Sequence, residues 1–417
     1  MLPHGVRIMS AIRVAMILPG LGYVQRGAET AFIEVGRALA KYPDIDIECF
    51  GSGDSIPNGL PIHNVGCVRR EKFEKWVNVP CFRNEYQYEE FTFAWNLRQK
   101  GQFRPEKFDV TISCTYPHVN WSLQKTRRND GPLNLFVTQN GDWMCHSGSR
   151  EFKYFGCDGL ITINPEYYER NKTRYQTALI PNGVDPTVFD LSSVMTKESI
   201  PEDLRLTHEG PTILMVSALI ASKRVDDAIR SVAHVPGATL VVAGDGPERE
   251  KLSALATELL PGRHRFLGSI SAQKMPYIYA QADVFLHMSQ IEPFGICYLE
   301  AASAGLPIVT HNGDTQRWIL GSTALFNHSS DHEGIAGKLQ TALEPVAARE
   351  LSEACRERVL KEWTWEVQGR KYRDFIYDVM KTNGREVPWR AEVDLPEVCR
   401  RPVEIEEREL ACVLGFD

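Results

Sequence analysis

Arg13-Val-Ala-Met-Ile-Leu-Pro-Gly-Leu-Gly22 is an apolar run of strand length that stops at a Pro-Gly-Leu-Gly turn. After Gly27, apolar residues recur at helical spacing: Ala28, Ala31, Phe32, Val35 and Leu39. Ile45-Asp-Ile-Glu-Cys-Phe50 then reads as a second strand. Strand, glycine turn, helix and strand in that order are the mark of a βαβ unit with parallel strands.

The unit recurs along the chain. Phe108-Asp-Val-Thr-Ile-Ser113, Leu133-Asn-Leu-Phe-Val-Thr138 and Gly159-Leu-Ile-Thr-Ile163 are further short buried strands. Turn residues then cluster between Pro181 and Pro211, where the strand pattern lapses and a linker is expected. A second series begins at Pro211-Thr-Ile-Leu-Met-Val216 and continues through Ala238-Thr-Leu-Val-Val-Ala243, His264-Arg-Phe-Leu267, Ala282-Asp-Val-Phe-Leu-His287 and Pro307-Ile-Val-Thr310. Helical patterns lie between these strands, as at 225–235 and 248–259. The expected fold class is α/β, with two tandem Rossmann-like, doubly wound domains and a ligand cleft beyond the carboxyl ends of their strands.

Composition narrows the function. The 417 residues suit two domains, and 43% hydrophobic with 24% charged residues is ordinary for a globular chain. A net charge of −7 argues against nucleic acid as a partner. No apolar run reaches the ~18 residues of a membrane span, and none near Met1 suits a secretory signal. The 10 cysteines form no Cys-x-x-Cys pair, so a zinc site is not expected, and a reducing cytoplasm is.

The chemistry centres on Ser289-Gln-Ile-Glu-Pro-Phe-Gly-Ile-Cys-Tyr-Leu-Glu300, which follows a strand and opens a helix. Pro293 and Gly295 permit a tight turn at the helix start. Amides near Phe294, Gly295 and Ile296 then lack intrahelical partners and, with a macrodipole of about +0.5 charge, form an anion site suited to a diphosphate. Glu292 precedes the helix and Glu300 lies within it; eight helical residues would separate them by ~12 Å, enough to hold the two ends of a nucleotide sugar. As two isolated glutamates they would be a dipole-complementing charge and a solvated side chain, but the surrounding pattern decides otherwise.

Glu292 to Glu300 resembles the Glu-x7-Glu motif of the large retaining glycosyltransferase family of GT-B fold, which includes glycogen, sucrose and mannosyl transferases. Phe266-Leu-Gly268, Tyr277-Ile-Tyr-Ala-Gln-Ala-Asp283, Glu300-Ala-Ala-Ser-Ala-Gly-Leu-Pro307, Gly244-Asp-Gly-Pro247 and Ile180-Pro-Asn-Gly-Val-Asp185 extend the likeness. It covers roughly residues 13 to 380 and is tighter in the second half. The resemblance implies that Glu292 sits beside the donor sugar, that the Phe294–Ile296 amides bind the diphosphate, and that Glu300 binds the ribose. Leu267 and Gly268 would read the base, with Gly244 and Ser289 also on the donor side. Lys223 would neutralise the leaving diphosphate, a cation aimed at charge that grows as the glycosidic bond breaks. Gly27 would let backbone approach the donor phosphates or the acceptor.

Two positions depart from the family pattern. Ser217-Ala218 stands where Gly-Arg is usual, which removes one cation and leaves Arg224 as the candidate substitute. Asn140 stands where a first-domain histidine is usual, and an amide positions a hydroxyl without titrating. His118, in Tyr116-Pro-His118, is the other acceptor-side candidate, and His146 a weaker one. The basic-aromatic stretches Arg69-Arg-Glu-Lys-Phe-Glu-Lys-Trp76 and Lys125-Thr-Arg-Arg128 suit peripheral contact with an anionic membrane surface or, for the first, a solvated helix face.

The expected organisation is an acceptor-side domain over 1–195, a donor domain over 196–364, and a C-terminal helix crossing back to the first domain, followed by a charged tail, over 365–417. The expected function is retaining transfer of a sugar from a nucleotide-diphosphate sugar to a glycan, lipid-linked or small-molecule acceptor by a front-face mechanism. No cofactor and no metal are expected. Asp44-Ile-Asp46 is the Asp-x-Asp pair considered, and it lies in the wrong half of the chain. The alternatives are a non-catalytic partner subunit that binds nucleotide sugars, and an epimerase or phosphorylase on the same fold.

Overall fold

The computed structural model describes residues 11–24, 27–56, 59–69, 85–99, 101–124, 131–148, 152–190 and 200–387. The chain forms two compact units. One runs to Asn182 and resumes at Trp365; the other spans Gly183–Thr364. Of the two basic-aromatic stretches, only Arg69 lies within the described residues, where its guanidinium sits over the Tyr23 ring.

The first unit is a seven-stranded parallel sheet. Its strands are β1 (Ile12–Ile17), β2 (Ile45–Gly51), β3 (Ile62–Asn64), β4 (Val110–Ser113), β5 (Leu133–Val137), β6 (Gly159–Thr162) and β7 (Thr177–Leu179). Their spatial order is β3-β2-β1-β4-β5-β6-β7. β1 pairs with β2 from Ile12↔Ile45 to Ile17↔Phe50, which is the register of the predicted βαβ unit. Both faces are covered, so β4, β5 and β6 are buried along their whole length and β1 at every position but Arg13, rather than alternating.

The last helix, Trp365–Thr382, belongs to this unit and lies on the helix Gly27–Ala40. Gly369 makes the approach possible, since a Cβ there would come within 2.6 Å of the Ala38 Cβ. Asp44 sits buried beneath the crossing. Its Oδ2 accepts from Arg373 Nη2 at 2.6 Å and from the Tyr377 hydroxyl. The first aspartate of Asp44-Ile-Asp46 is thus occupied by an internal ion pair.

The second unit is a six-stranded parallel sheet in the order β10-β9-β8-β11-β12-β13. It is built from β8 (Thr212–Val216), β9 (Thr239–Ala243), β10 (His264–Gly268), β11 (Val284–His287), β12 (Ile308–His311) and β13 (Leu325–Asn327). Ile213, Met215, Leu240, Val242, Val284, Leu286 and Val309 project from one face. Against them the Val225–Ala233 helix packs Val225, Ala228, Ile229 and Val232, an i, i+3, i+4, i+7 stripe. Each buried valine, leucine, isoleucine or methionine among them stabilises the fold by about 1.5–3 kcal/mol.

The seam expected over 181–211 is only partly a linker. The chain passes between units after Asn182, ahead of the expected boundary at 195. The short helix Pro186–Phe189 already packs in the second unit: Phe189 meets the Tyr279 ring, and Asp190 accepts from Arg356 at 2.9 Å. Among the described residues, no helix is long and apolar enough to cross a membrane.

Candidate donor site and acceptor-side cavity

In parallel α/β sheets, ligands bind where the strand order reverses, because the loops there turn away from one another and leave a crevice. In the second unit the reversal lies between β8 and β11. The loop after β8 carries Lys223 and the loop after β11 carries Glu292. Lys223 Nζ lies 2.5 Å from Glu292 Oε2, with the side chains 17% and 9% exposed. The two residues assigned separate donor-side roles from sequence therefore form one ion pair.

The Glu292 turn has a definite construction. The helix Ile296–Ser303 starts after Gly295, which caps it in the left-handed region at φ 81. The two glutamates thus stand on either side of a turn, not along one helical rise. Phe294 is buried against the rings of Trp318 and Trp363. Ser289 is also buried; its hydroxyl donates to the Ile291 carbonyl at 3.0 Å, while its own carbonyl accepts from Gln316 Nε2 at 2.8 Å. Its side chain thus braces the loop. The Tyr298 amide donates to the Gly295 carbonyl at 3.1 Å, and the amides ahead of it stand at the end of a helix where intrahelical acceptors run out.

Glu300 lies one turn further on. Its carboxylate accepts from the buried Tyr279 hydroxyl at 2.8 Å. Burial raises the Glu300 carboxyl above its ordinary value, and the Tyr279 bond opposes that shift. His287, at the end of β11, is pushed down to about 3 by burial and by the Lys223 charge, so its imidazole is neutral.

Arg224 faces elsewhere. It is the sole non-glycine residue with positive φ among the described residues, and that left-handed step separates its direction from that of Lys223. Its Nε donates to Asp227 at 2.7 Å, and Asp227 also binds His332 Nε2 at 2.9 Å. Gly244 fills a backbone crossing: a Cβ there would lie 1.9 Å from the Ser217 carbonyl oxygen, and its amide donates to the Gly268 carbonyl at 2.8 Å. Leu267 lines a hollow of about 460 Å³ with Phe266, Ser269 and Lys274.

The first unit repeats the logic. Its strand order reverses between β1 and β4. A cavity of about 510 Å³ opens there, lined by Gly20 and Gly27 after β1, Thr115 and Tyr116 after β4, and Gln139 and Asn140 after β5. Gly27 and Asn140 are thereby brought together. His118 is not part of that lining; its ring meets Phe91 and Trp121, and burial lowers its pKa. His146 pairs instead with Asp142 at 3.4 Å. Glu29, Glu89 and Glu90 also line the cavity and were not singled out from sequence. Glu29 could have been, because it follows Gly27 in the first turn of a helix that opens at a glycine-rich loop.

Comparison with known proteins bears on the family and the fold. Residues 196–361 match the family model "Glycosyl transferases group 1". An uncharacterized glycosyltransferase of Methanocaldococcus jannaschii is 33% identical over 311 residues, 69% of this chain and 73% of that protein. The GDP-mannose-dependent monoacylated alpha-(1-6)-phosphatidylinositol monomannoside mannosyltransferase of Corynebacterium glutamicum is 28% identical over 277 residues, 60% of this chain and 72% of that protein. Sucrose-phosphate synthase from Thermosynechococcus elongatus has the same fold, with a TM-score of 0.67 at 20% identity over 89% of this chain and all of that one. Two parallel sheets of this order, a motif-bearing second unit and a relative matched along most of both chains have one common explanation: the chain belongs to the glycosyl transferases group 1 family of GT-B fold.

Proposed function

We propose that the chain is a retaining glycosyltransferase that moves a sugar from a nucleoside diphosphate sugar to a hydroxyl acceptor without a metal ion. The observation that carries this reading is the Lys223–Glu292 pair at 2.5 Å, set where the second sheet's strand order reverses. As the bond from the anomeric carbon to the diphosphate breaks, negative charge grows on the leaving phosphate. A fixed ammonium and helix-start amides stabilise that charge. Glu292 bonds Lys223 through Oε2 and keeps its other oxygen for a sugar hydroxyl. The acceptor oxygen then bonds to the anomeric carbon from the face the diphosphate leaves, and its proton passes to the leaving oxygen. Glu300, beyond the same helix start, accepts from the ribose.

The acceptor side is the cavity holding Gly27 and Asn140. GDP-mannose is the first donor to test, on the strength of the Corynebacterium relative's name. A lipid-linked acceptor or growing glycan at the cytoplasmic face of a membrane is the corresponding setting. A thermal-shift screen of UDP, GDP, ADP and their sugars tests the donor, and a ligand at 100 times its Kd adds ~2.7 kcal/mol. Proton NMR of the first product then reads the anomer. An inverted anomer, or turnover lost in excess EDTA and restored by Mn²⁺, overturns the mechanism.

A second reading, a partner subunit that binds the donor without turnover, draws on Ala218 and on Arg224 being held by Asp227. Donor binding with no release of nucleoside diphosphate to water or any acceptor would favour it.

A further inference from the structure

Beneath the Glu292 turn lies a buried polar cluster that the reading above leaves unused. Tyr298 is fully buried on the Ile296–Ser303 helix, and a phenol hydroxyl there needs a partner. It lies 3.0 Å from His287 Nδ1 and 3.1 Å from Thr310 Oγ1. Thr310 Oγ1 is also 2.9 Å from the His287 carbonyl oxygen. His287 ends β11 and Thr310 lies on β12, so the hydroxyl is tied to two neighbouring strands of the sheet.

With His287 neutral, the Tyr298 hydroxyl and Nδ1 share one hydrogen bond whose direction follows the imidazole tautomer, and together with Thr310 it holds the Tyr298 ring in place. That ring in turn supports the turn above it. A Cβ on Gly295 would lie 2.7 Å from two Tyr298 ring carbons and 3.0 Å from the Glu292 Cγ. Ring, Gly295 backbone and Glu292 stem are therefore one stack. The ends of the loop are held by Gln316, which donates to the Ser289 carbonyl and also meets the Tyr298 hydroxyl, and by the tryptophans at Phe294.

We propose that Tyr298 is a positioning residue for Glu292: its hydroxyl, fixed by His287 and Thr310, sets the ring, and the ring sets the carboxylate's reach toward Lys223. The inference rests on the reading of Glu292 as the donor-side carboxylate.

A double-mutant cycle tests it. The parent, Tyr298→Phe, Glu292→Gln and the double variant are assayed for nucleoside diphosphate release from GDP-mannose or UDP-glucose, whichever gives the larger thermal shift. Tyr298→Phe should lower kcat roughly ten- to a hundredfold, the cost of a misplaced reacting group. It should leave the Kd for the nucleoside diphosphate within about twofold. In the Glu292→Gln background it should cost nothing further, an outcome that a general loss of structure does not produce. Losses that multiply, or an unchanged kcat in Tyr298→Phe, overturn the inference alone. An unchanged kcat in Glu292→Gln overturns the reading of Glu292 and this inference with it. Thr310→Val, which removes one bond to the same hydroxyl, carries the same cycle if Tyr298→Phe does not fold.

Discussion

Lys223 and Glu292 stand 69 positions apart in sequence and 2.5 Å apart in space. On the proposed mechanism the pair holds the ammonium beside the departing diphosphate, so Lys223 is expected to act on the transition state more than on donor binding. Lys223→Ala should lower kcat by ~10²–10³, comparable to removing one preorganised oxyanion donor, with a smaller change in the donor KM. Arg224→Ala should cost far less, because its guanidinium is held by Asp227. Steady-state kinetics of both variants checks this, and a larger loss in Arg224→Ala would reverse the assignment.

Glu300, the proposed ribose acceptor, should make stability depend on pH. Burial raises its carboxyl above the ordinary value of 4.5, so the native state keeps a proton that the unfolded chain has already released. Stability from this group therefore falls as pH rises from the unfolded pKa through the folded one. Glu300→Gln removes that loss. Its melting temperature relative to the parent should rise between pH 4 and pH 7, while nucleoside diphosphate binding weakens by ~1–3 kcal/mol. A difference in melting temperature that does not vary with pH would contradict the first expectation, and unchanged affinity the second.

Gly295→Ala should be costly twice over. Its φ of 81 is strained for an L side chain, and the added methyl would press on Tyr298 and Glu292. Strain of this kind costs about 1–3 kcal/mol. The variant should melt earlier and lose kcat as the carboxylate shifts. Parent-like melting and turnover would show that the turn adapts freely.

His287 should contribute to acid lability. Unfolded histidine takes up a proton near 6.5, whereas the buried ring resists protonation down to about 3. Stability is thus present above the unfolded pKa and lost as pH falls through that window. His287→Asn retains an acceptor and removes the titration. Its melting temperature should fall less steeply than the parent's from pH 6.5 toward pH 4, and parallel curves would contradict this.

The central strands were legible because both faces are buried: 212–216, 239–243 and 284–287 lie inside apolar runs plain in the sequence. Ile62–Asn64, Thr177–Leu179 and Leu325–Asn327 were not. Each is a three-residue edge strand paired on one side, too short and mixed in composition to carry a period. The same division holds for the site. Glu292, Lys223 and Glu300 stood out by motif, but the bond between Lys223 and Glu292 depends on which strands are neighbours. Tyr298 and His287 were not singled out, because a buried hydroxyl and a neutral imidazole leave no charge pattern along the chain. Arg224 looked like a stand-in cation until its left-handed backbone turned it toward Asp227.

The Trp365–Thr382 helix has a consequence for synthesis. Asp44 finds Arg373 and Tyr377 only after Gly183–Thr364 has been made. The unit translated first is therefore completed last. At ~5–20 residues per second, the nascent first sheet waits on the order of ten to forty seconds for its closing helix. Throughout that interval the Asp44 carboxylate has no guanidinium, and the helix Gly27–Ala40 shows the ribosome exit and its chaperones the apolar surface that the closing helix later covers.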